Sequence, residues 1–591
     1  MKNHQTLLIA LSDDLSAQLI EVAEAYYHLS LPSDLKHARL VEFNRHPQFG
    51  HLTSNIAMRL ARICKLSPMV IAQAIVDHMP RPKSTAKCEV KAPGYINFYL
   101  ADSYIQDFLI KIHQQHFQTI LPSAPWKKVH LEYVSANPTG PIHVGHGRGA
   151  AAGASLAALL QAVGCQVHQE YYVNNVGRQM QVLALSVWLR YLAQVGQPVD
   201  LPAGCYQGQY IDVIAQKMAS DYKERFFQPH AKSIALMINQ LSGSSLAGED
   251  LLGQWILRVM DILGDELSVI RQFCCDQVLS GIRQDLESFG VQQHWFLEHQ
   301  LHDQGKIQAF IGQLEKENLV FEQDGALWFN SKQLGDEKNR VLRRQDGTYT
   351  YFAADTAYHV EKLSADYDLC IAVFGADHHG HADKMHRILK SLLGDTSTLK
   401  FKLVQFVSLI QNSERVAMST RADQFITLKS LYSEVGVDAA RFFYVARRLD
   451  QHVDFDLDLA KSQSMDNPVY YIQYAHARIH QILSSVGVSK DREKLCDDWL
   501  AQLTHPKELA LIHHSLKLPW VIEQSVRDLE VHALAHYLID LAKLFHQFYA
   551  QCPVLVDSPK QKQARIALII CVARVIAFGL SILGVSAPKK M

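Results

Sequence analysis

Strand-like and helix-like segments alternate along the middle of the chain, and this alternation constrains the fold more than any other feature of the sequence. Four apolar runs predict buried strands: KVHLEYV, QVHQEYYV, YDLCIAVFG and FKLVQFVSLI. Amphipathic segments such as YFAADTAYHVEKL and HADKMHRILKSLL predict helices between them. Parallel strands need long crossover connections, which helices provide. We therefore predict a multidomain α/β protein in which residues 121–436 form a Rossmann-like, doubly wound parallel sheet.

The alternation is interrupted and flanked by other patterns. A mostly helical, polar stretch at about 198–300 predicts an insertion within the sheet domain. Residues 1–120 combine amphipathic helices with an alternating strand, GYINFYL, and predict a small α+β domain. After about Val437 the strand signals stop, so residues 437–591 are predicted to form an all-α domain. A chain of 591 residues is too long for one core, in agreement with three domains.

Composition limits the cellular setting. The ten cysteines form no CxxC pair, which argues against zinc ribbons and disulfides and favours a reducing cytoplasm. The N-terminus has too short an apolar stretch for a signal peptide. Near the C-terminus, Arg565 and Arg574 interrupt a long apolar segment. The uncharged run that remains is shorter than a span needs, so we expect a buried helix and no membrane.

The segment ANPTGPIHVGHGRGA, Ala136–Ala150, predicts a binding corner directly after the first strand. Its prolines cannot continue a strand, and a glycine-rich helix follows the turn. Free N–H groups and the helix dipole at such a corner attract anions. His143 and His146 face the same side and add hydrogen-bond donors. Because no nearby Glu or Cys completes a metal site, we expect phosphate here and no metal.

The run that starts at Glu132, EYVSANPTGPIHVGH, strongly resembles the signature of class I aminoacyl-tRNA synthetases, and specifically of arginyl-tRNA synthetases. Five separated stretches resemble further landmarks of that family in the right order: GYINFYL, YYVNNVGRQM, FGADHHGH, DNPVYYIQYAHAR and LGVSAPKKM. The resemblance covers nearly the whole chain. It implies a tRNA-binding N-terminal domain, a catalytic sheet domain and an anticodon-binding C-terminal domain.

The resemblance also implies the reaction. L-Arginine and ATP would form arginyl-adenylate and pyrophosphate, and the arginyl group would then pass to the 3′ end of tRNA(Arg). The substrate carboxylate attacks the α-phosphate, so the protein supplies positioning and electrostatic stabilisation. Mg²⁺ would arrive with ATP, bound largely by phosphate oxygens and water. We expect a cytoplasmic monomer.

The resemblance assigns residues to ATP and to catalysis. His143, Gly145 and His146 match the HIGH-type motif, which binds ATP and stabilises the charge that develops on the phosphates. Two further sets are expected to contact ATP or the adenylate: Pro138, Thr139 and Gly140 in the turn, and Gly375, Asp377, His378 and His381 after the later strand. His379 is expected to be a solvated neighbour, and metal binding by this second histidine group remains an alternative.

The arginine site is expected to involve carboxylates, because they hold a planar guanidinium in bidentate geometry. Tyr351 and Asp355 lie one helical turn apart on one face. By resemblance, these two residues and Glu132 bind the guanidinium, Asn137 binds the α-carboxylate, and Ser135 belongs to the same set. The alternative is that the acids only satisfy backbone N–H groups at a strand end and a helix start.

The segment ERVAMSTRADQFITL aligns with the KMSKS loop of class I enzymes, which closes over the triphosphate. Its AMSTR core, Ala417–Arg421, lacks both lysines of that motif. Met418 is expected to contact ATP, and Ser419 and Arg421 are expected to serve catalysis, with Arg421 supplying part of the missing charge. Arg415 flanks the loop.

The predicted C-terminal domain mixes aromatic and basic residues. Most of its rings, including Phe545 and Phe548, are expected to be buried in the core. Exposed rings beside a cation suit stacking on unpaired RNA bases. The residues expected to contact tRNA are Tyr470, Tyr474, Arg478, Tyr549 and Met591.

Two alternatives from other classes remain at this point. A Rossmann dehydrogenase would use GHGRGA as its cofactor loop, although the string is not GxGxxG in register and no acidic ribose ligand follows at the expected distance. A synthetase-like RNA-binding protein with weakened catalysis would account for the missing lysines.

Overall fold

A computed structural model describes residues 7–242, 244–416, 426–486 and 499–591. The N-terminal part is a four-stranded antiparallel sheet covered by helices, with strand order β1-β2-β4-β3. Its elements are α1 (Leu7–Tyr27), α2 (Ser33–Lys36), β1 (Val41–Phe43), β2 (Leu52–Ser54), α3 (Ile56–Cys64), α4 (Pro68–His78), β3 (Thr85–Lys91), β4 (Tyr95–Leu100) and α5 (Asp102–His113). The α+β prediction is confirmed.

The central sheet has five parallel strands in the order β12-β11-β5-β6-β7. Its strands and the helices that connect or flank them are β5 (Lys128–Glu132), α6 (Val144–Ala162), β6 (Gln166–Val173), α7 (Arg178–Gln194), β7 (His294–Leu297), α14 (Tyr351–Ser364), β11 (Leu369–Gly375), α15 (His379–Leu393) and β12 (Leu399–Val404). The chain runs outward from β5 to β7 and then returns to β11 on the other side of β5. This reversal makes the carboxyl end of β5 the switch point at which such sheets bind ligands.

The predicted insertion is helical but shorter than expected. It contains α8 (Gln209–Tyr222), α9 (Ala231–Ser242), α10 (Gly248–Leu263) and α11 (Glu266–Ser288). The prediction that it extends to about residue 300 is wrong, because β7 pairs with β6 as the edge strand of the parallel sheet. Strand β7 has only four residues and follows a long helical stretch, so its apolar pattern is too short to be recognised in the sequence.

Two small sheets were not predicted. One is antiparallel, in the order β10-β9-β8, and follows α12 (His299–Asp303) and α13 (Lys306–Lys316); its strands are β8 (Val320–Gln323), β9 (Ala326–Phe329) and β10 (Arg340–Arg343). The other has the order β14-β13-β15 and contains β13 (Val407–Gln411), β14 (Glu414–Arg415) and β15 (Val453–Asp456). FKLVQFVSLI is thus two strands in different sheets, divided at Gln405 and Phe406, and β15 is a strand in a region predicted to be all helix.

The C-terminal part is otherwise helical, as predicted. Its helices are α16 (Leu428–Val435), α17 (Val437–Val445), α18 (Leu457–Lys461), α19 (Pro468–Ser485), α20 (Pro506–Leu516), α21 (Leu518–Asp528), α22 (His532–Gln551) and α23 (Pro559–Leu583). Helix α23 is long and apolar enough to cross a membrane, but 72% of its most apolar window is buried in the protein. Arg565 lies within it and pairs with the buried Glu508, Nε to Oε1, at 2.6 Å. The expected core helix is confirmed.

Candidate active site

A cleft of about 1400 Å³ opens at the carboxyl ends of the parallel strands. The residues that line it include those of the corner between β5 and α6, the start of α14 and the segment after β11. Twelve of the residues predicted for the site are among them: Glu132, Ser135, Asn137, His143, Gly145, His146, Tyr351, Asp355, Gly375, Asp377, His378 and His381. The topology brings together residues that are up to 249 positions apart (381 − 132).

The corner after β5 is a strained turn held from both sides. Val134 and Ser135 adopt φ values of 72° and 41°, in the left-handed region that β-branched residues avoid. The hydroxyl of Tyr171 donates to the Ala136 carbonyl at 2.8 Å, and that of Tyr210 donates to the Thr139 carbonyl at 2.6 Å. These bonds fix the path of the turn between sheet and insertion.

Three residues of the turn lie away from the cleft. Pro138, Thr139 and Gly140, expected to contact ATP, are not among its lining residues within the described ranges. A Cβ on Gly140 would lie 3.0 Å from the Tyr210 ring, so this glycine packs against the insertion. The structure therefore places these residues where they support the turn.

The two histidines form a stacked pair at the start of α6. His143 is the N-cap and His146 is the third helical residue, with ring centroids 3.8 Å apart. The Gly145 N–H donates to Nδ1 of His143 at 3.0 Å, and the His143 N–H donates to Nδ1 of His146 at 3.4 Å. Burial lowers the pKa of both rings, that of His146 to about 3. Both are therefore neutral at pH 7, with the proton on Nε2.

Glu132 is already satisfied from within the protein. The Lys362 ammonium lies 3.0 Å from its Oε2, and the Ser135 hydroxyl donates to its Oε1 at 3.0 Å. The Tyr358 hydroxyl also lies 3.0 Å from Oε2. Since Lys362 neutralises its charge, Glu132 is a weaker partner for a guanidinium than the sequence predicts.

Asp355 and Glu298, which also line the cleft, have no Lys or Arg ion pair within the described residues. Asp355 contacts His381, Oδ2 to Nε2, at 2.6 Å. Glu298, just after β7, is buried, and burial raises its pKa to about 7. With its amide correctly oriented, Asn174 donates to Glu298 Oε2 at 3.1 Å. The sequence-based prediction missed Glu298 because it assigned this residue to the insertion.

Tyr351 lies where these charges converge. It is half-exposed, it begins α14, and the charges of Asp355, Glu132 and Glu298 raise the pKa of its hydroxyl. Asn137 is exposed at the edge of the same cleft. A cationic side chain bound at the end of the cleft that contains Tyr351, Asp355 and Glu298 would meet net negative charge on several sides.

The residues of the segment after β11 differ in what they contact. Asp377 and His378 line the cleft with largely exposed side chains, and His381 reaches Asp355. His379 faces solvent, 3.6 Å from Asp383. Three arginines that were not predicted, Arg178, Arg271 and Arg344, line the outer part of the cleft.

The loop and the C-terminal residues are separate cases. Ala417, Met418, Ser419 and Arg421 lie outside the described residues; Arg415 is exposed and lies 3.4 Å from Asp454. Phe545 and Phe548 are buried, as expected.

The predicted tRNA-contacting residues form two contacting pairs and line one small cavity. Tyr470 and Tyr474 stack with centroids 6.2 Å apart, and Arg478 lies over the Tyr549 ring at 4.9 Å and donates to its hydroxyl. Met591 and Tyr470 line a cavity of about 610 Å³.

The glycines of GHGRGA lie within helix α6 and not in a loop. A Cβ on Gly147 would lie 2.5 Å from Leu428, and one on Gly153, beyond this string in the same helix, would lie 2.2 Å from the Tyr133 ring. These glycines allow close packing of the helix. The cofactor-loop interpretation, and with it the dehydrogenase alternative, is wrong.

Three family models match the chain in sequence. They describe the arginyl-tRNA synthetase N-terminal domain (residues 10–100), the catalytic domain of class I (R) tRNA synthetases (residues 109–446) and the DALR anticodon binding domain (residues 472–591). The three matches follow the order of the three predicted domains.

Curated relatives and solved structures agree with these models. The chain is 43% identical over 553 residues to an arginine–tRNA ligase of Coxiella burnetii, covering 92% of this chain and 93% of the relative. It is 42% identical to that of Thioalkalivibrio sulfidiphilus, covering 95% and 97%. Its fold is similar to that of the Thermus thermophilus arginyl-tRNA synthetase, with a TM-score of 0.69 at 21% identity, covering 98% of this chain and all of that one.

Proposed function

Since the chain belongs to the arginyl-tRNA synthetase family and is an arginine–tRNA ligase, we propose that the cleft at the carboxyl edge of its parallel sheet is where arginine is activated. Arginine and ATP would form arginyl-adenylate and pyrophosphate there, and the arginyl group would pass to the 3′ end of tRNA(Arg). The observation that carries the assignment is the division of one cleft into an acidic end and an end with neutral donors.

The acidic end would bind the guanidinium. Asp355, and Glu298 once a bound guanidinium favours its ionised form, carry negative charge that forms no ion pair with a lysine or arginine of the described chain, and Tyr351 lies beside them. Two carboxylates can receive the planar fork of N–H groups from different directions. Asn137, at the exposed edge, would bind the α-carboxylate. The Glu132 carboxylate is held by Ser135 and Lys362. We therefore expect Glu132 to support the shape of the site more than to pair directly with the guanidinium.

The donor end would bind the phosphates. His143 and His146 present Nε2–H groups beside the N-terminus of α6, whose dipole also favours anions. Neutral imidazoles stabilise a developing negative charge without first having to take up a proton. Gly375, Asp377 and His378 would contact the adenosine part from the neighbouring strand end. Mg²⁺ would enter with ATP as part of the substrate, held largely by phosphate oxygens and water.

The remaining domains would bind tRNA. We assign residues 1–120 to tRNA binding, 121–436 to catalysis and 437–591 to the anticodon. Half-exposed rings next to a guanidinium, as at Tyr549 and Arg478, suit base stacking. We further propose that the enzyme acts as a monomer in the cytoplasm, and that Met418, Ser419 and Arg421 act on the triphosphate.

The proposed site is tested by an aminoacylation assay of the full chain with ATP, tRNA(Arg) and each of the twenty amino acids. We expect arginine alone to be charged. A Glu298→Gln/Asp355→Asn double variant should lose charging, whereas the control His379→Ala, at the exposed neighbour, should not. Undiminished charging by the double variant would place the arginine site elsewhere.

A further inference from the structure

Three side chains on the α14 side of the parallel sheet form a cluster of metal-ligating atoms outside the cleft. They are His130 on β5 and His168 and Glu170 on β6, and their ligand atoms all lie within 4.8 Å of one another. Nε2 of His130 lies 3.0 Å from Glu170 Oε1, and Nε2 of His168 lies 3.3 Å from Glu170 Oε2. None of the three lines the active-site cleft.

The sheet register creates this cluster. His130 pairs with His168 across β5 and β6, and Glu170 pairs with His294 across β6 and β7. Residues two apart on a strand share a face, so all four side chains point to the same side. His294 Nδ1 lies 3.7 Å from Glu170 Oε2, outside the group of three, and would have to turn inward to serve as a fourth ligand.

The histidine–carboxylate separations of 3.0, 3.3 and 3.7 Å are close to the ligand spacing of a tetrahedral metal centre. With Zn–N and Zn–O bonds of about 2.0–2.1 Å, neighbouring ligand atoms of a tetrahedron lie about 3.3 Å apart. We propose that His130, His168 and Glu170, with His294 as the fourth ligand, bind a transition-metal dication such as Zn²⁺. Three imidazoles and a carboxylate are a ligand set that suits zinc.

Charge and access favour the same ligand. Glu170 and the neighbouring Glu132 carry two negative charges against one positive charge on Lys362, which leaves a net charge of −1 for a dication to meet. Lys128, two residues before His130 on β5, is paired with Asp366. His168 and His294 are partly exposed, at 36% and 61% of their side chains, and give an ion a path from solvent.

The alternative is that the histidines only donate hydrogen bonds to Glu170. Zn²⁺ binding to the untagged full chain, in competition with a chromophoric chelator, separates the two. We expect about one tight site per chain, with an affinity about 100-fold lower in His168→Ala and in His294→Ala. His230→Ala is the matched control. Nε2 of His230 lies 3.3 Å from Glu266 Oε2, the same separation as between His168 and Glu170, but among the described residues this pair belongs to no group of three metal-ligating side chains.

Co²⁺ provides a second readout, since a four-coordinate site gives intense visible absorption that the control variant should keep and His168→Ala should lose. His168→Ala and His230→Ala each change a partly exposed side chain, so the fold should survive in both. The proposal is overturned if wild type binds Zn²⁺ no more tightly than His168→Ala, or if His230→Ala loses as much affinity. The proposal concerns metal binding alone, so it stands or falls independently of arginine activation.

Discussion

His381 Nε2 lies 2.6 Å from Oδ2 of Asp355, and this contact joins the segment after β11 to the second turn of α14. The sequence predicts separate partners for these residues, the adenylate for His381 and arginine for Asp355. Their contact makes His381 a positioning residue for the carboxylate, because a hydrogen bond of this length holds Asp355 in one orientation. It also links the two halves of the cleft.

Replacing His381 by alanine should therefore weaken the binding of arginine more than the binding of ATP. Losing a hydrogen bond to a charged group costs about 1.5–3 kcal/mol, which corresponds to a rise in the KM for arginine of about 10-fold or more. The measurement is ATP–pyrophosphate exchange with each substrate varied in turn. His379→Ala, at the exposed neighbour, should behave like wild type. A rise confined to the KM for ATP would assign His381 to the nucleotide instead.

Asp355→Asn and Glu298→Gln should each keep the fold and weaken arginine binding by about 10- to 100-fold, since a neutral amide cannot pair with a guanidinium. Calorimetric titration with arginine gives the affinities. Citrulline, in which an uncharged urea group replaces the guanidinium, is the discriminating ligand. The preference of wild type for arginine over citrulline should shrink in both variants. An unchanged preference would mean that other groups recognise the charge.

Arginine affinity should rise with pH between pH 6 and pH 8. Burial raises the pKa of Glu298 to about 7 in the free protein, and a bound guanidinium favours the ionised form, so binding releases a proton. The expected gain over this range is about 10-fold. Titration in two buffers of different ionisation enthalpy should show release of about half a proton at pH 7. Glu298→Gln should abolish the release, and a release that persists in this variant would implicate another group.

Local sequence patterns predict the elements whose signals are contained in the elements themselves. Helix α4 begins at Pro68, with the Ser67 side chain accepting from the Val70 N–H, a start that the adjacent Ser-Pro pair itself favours. The strand at Leu369–Gly375 and the stacked histidines are of the same kind, because their neighbours in sequence determine them. The twelve predicted site residues that line the cleft were found in the same way, because each lies in a short family motif that can be recognised in the sequence.

Long-range pairings are what the sequence does not reveal. Lys362 reaches Glu132 only because α14 crosses the sheet over β5, and nothing near either residue indicates the partner. Glu298 follows a four-residue edge strand whose place in the sheet depends on β6, more than 100 residues earlier. The break at Gln405 and Phe406 arises in the same way, since β13 pairs with β15 beyond the sheet domain.

His143→Ala and His146→Ala should slow adenylate formation by about 100-fold or more while leaving arginine affinity nearly unchanged. Donors aimed at developing charge act in the transition state, so their loss lowers kcat and not substrate binding. Single-turnover adenylate formation measures the step. Because burial lowers the pKa of both rings, that of His146 to about 3, the wild-type rate should not rise through deprotonation of either histidine between pH 7 and pH 8. Wild-type rates in both variants would remove the histidines from the mechanism.

Lys362→Met should destabilise the sheet domain far more than its double variant with Glu132→Gln. The side chains of Lys362 and Glu132 are 2% and 5% exposed, so removing the lysine alone leaves a buried carboxylate without its cation. Breaking such a pair costs about 3–5 kcal/mol, whereas replacing both charges at similar volume costs much less. Hydrogen exchange at the amides of β5 and α14 reports the local opening free energy in a chain too large for two-state unfolding. Equal losses in the single and double variants would show that packing by the lysine stem, and not charge compensation, makes Lys362 important there.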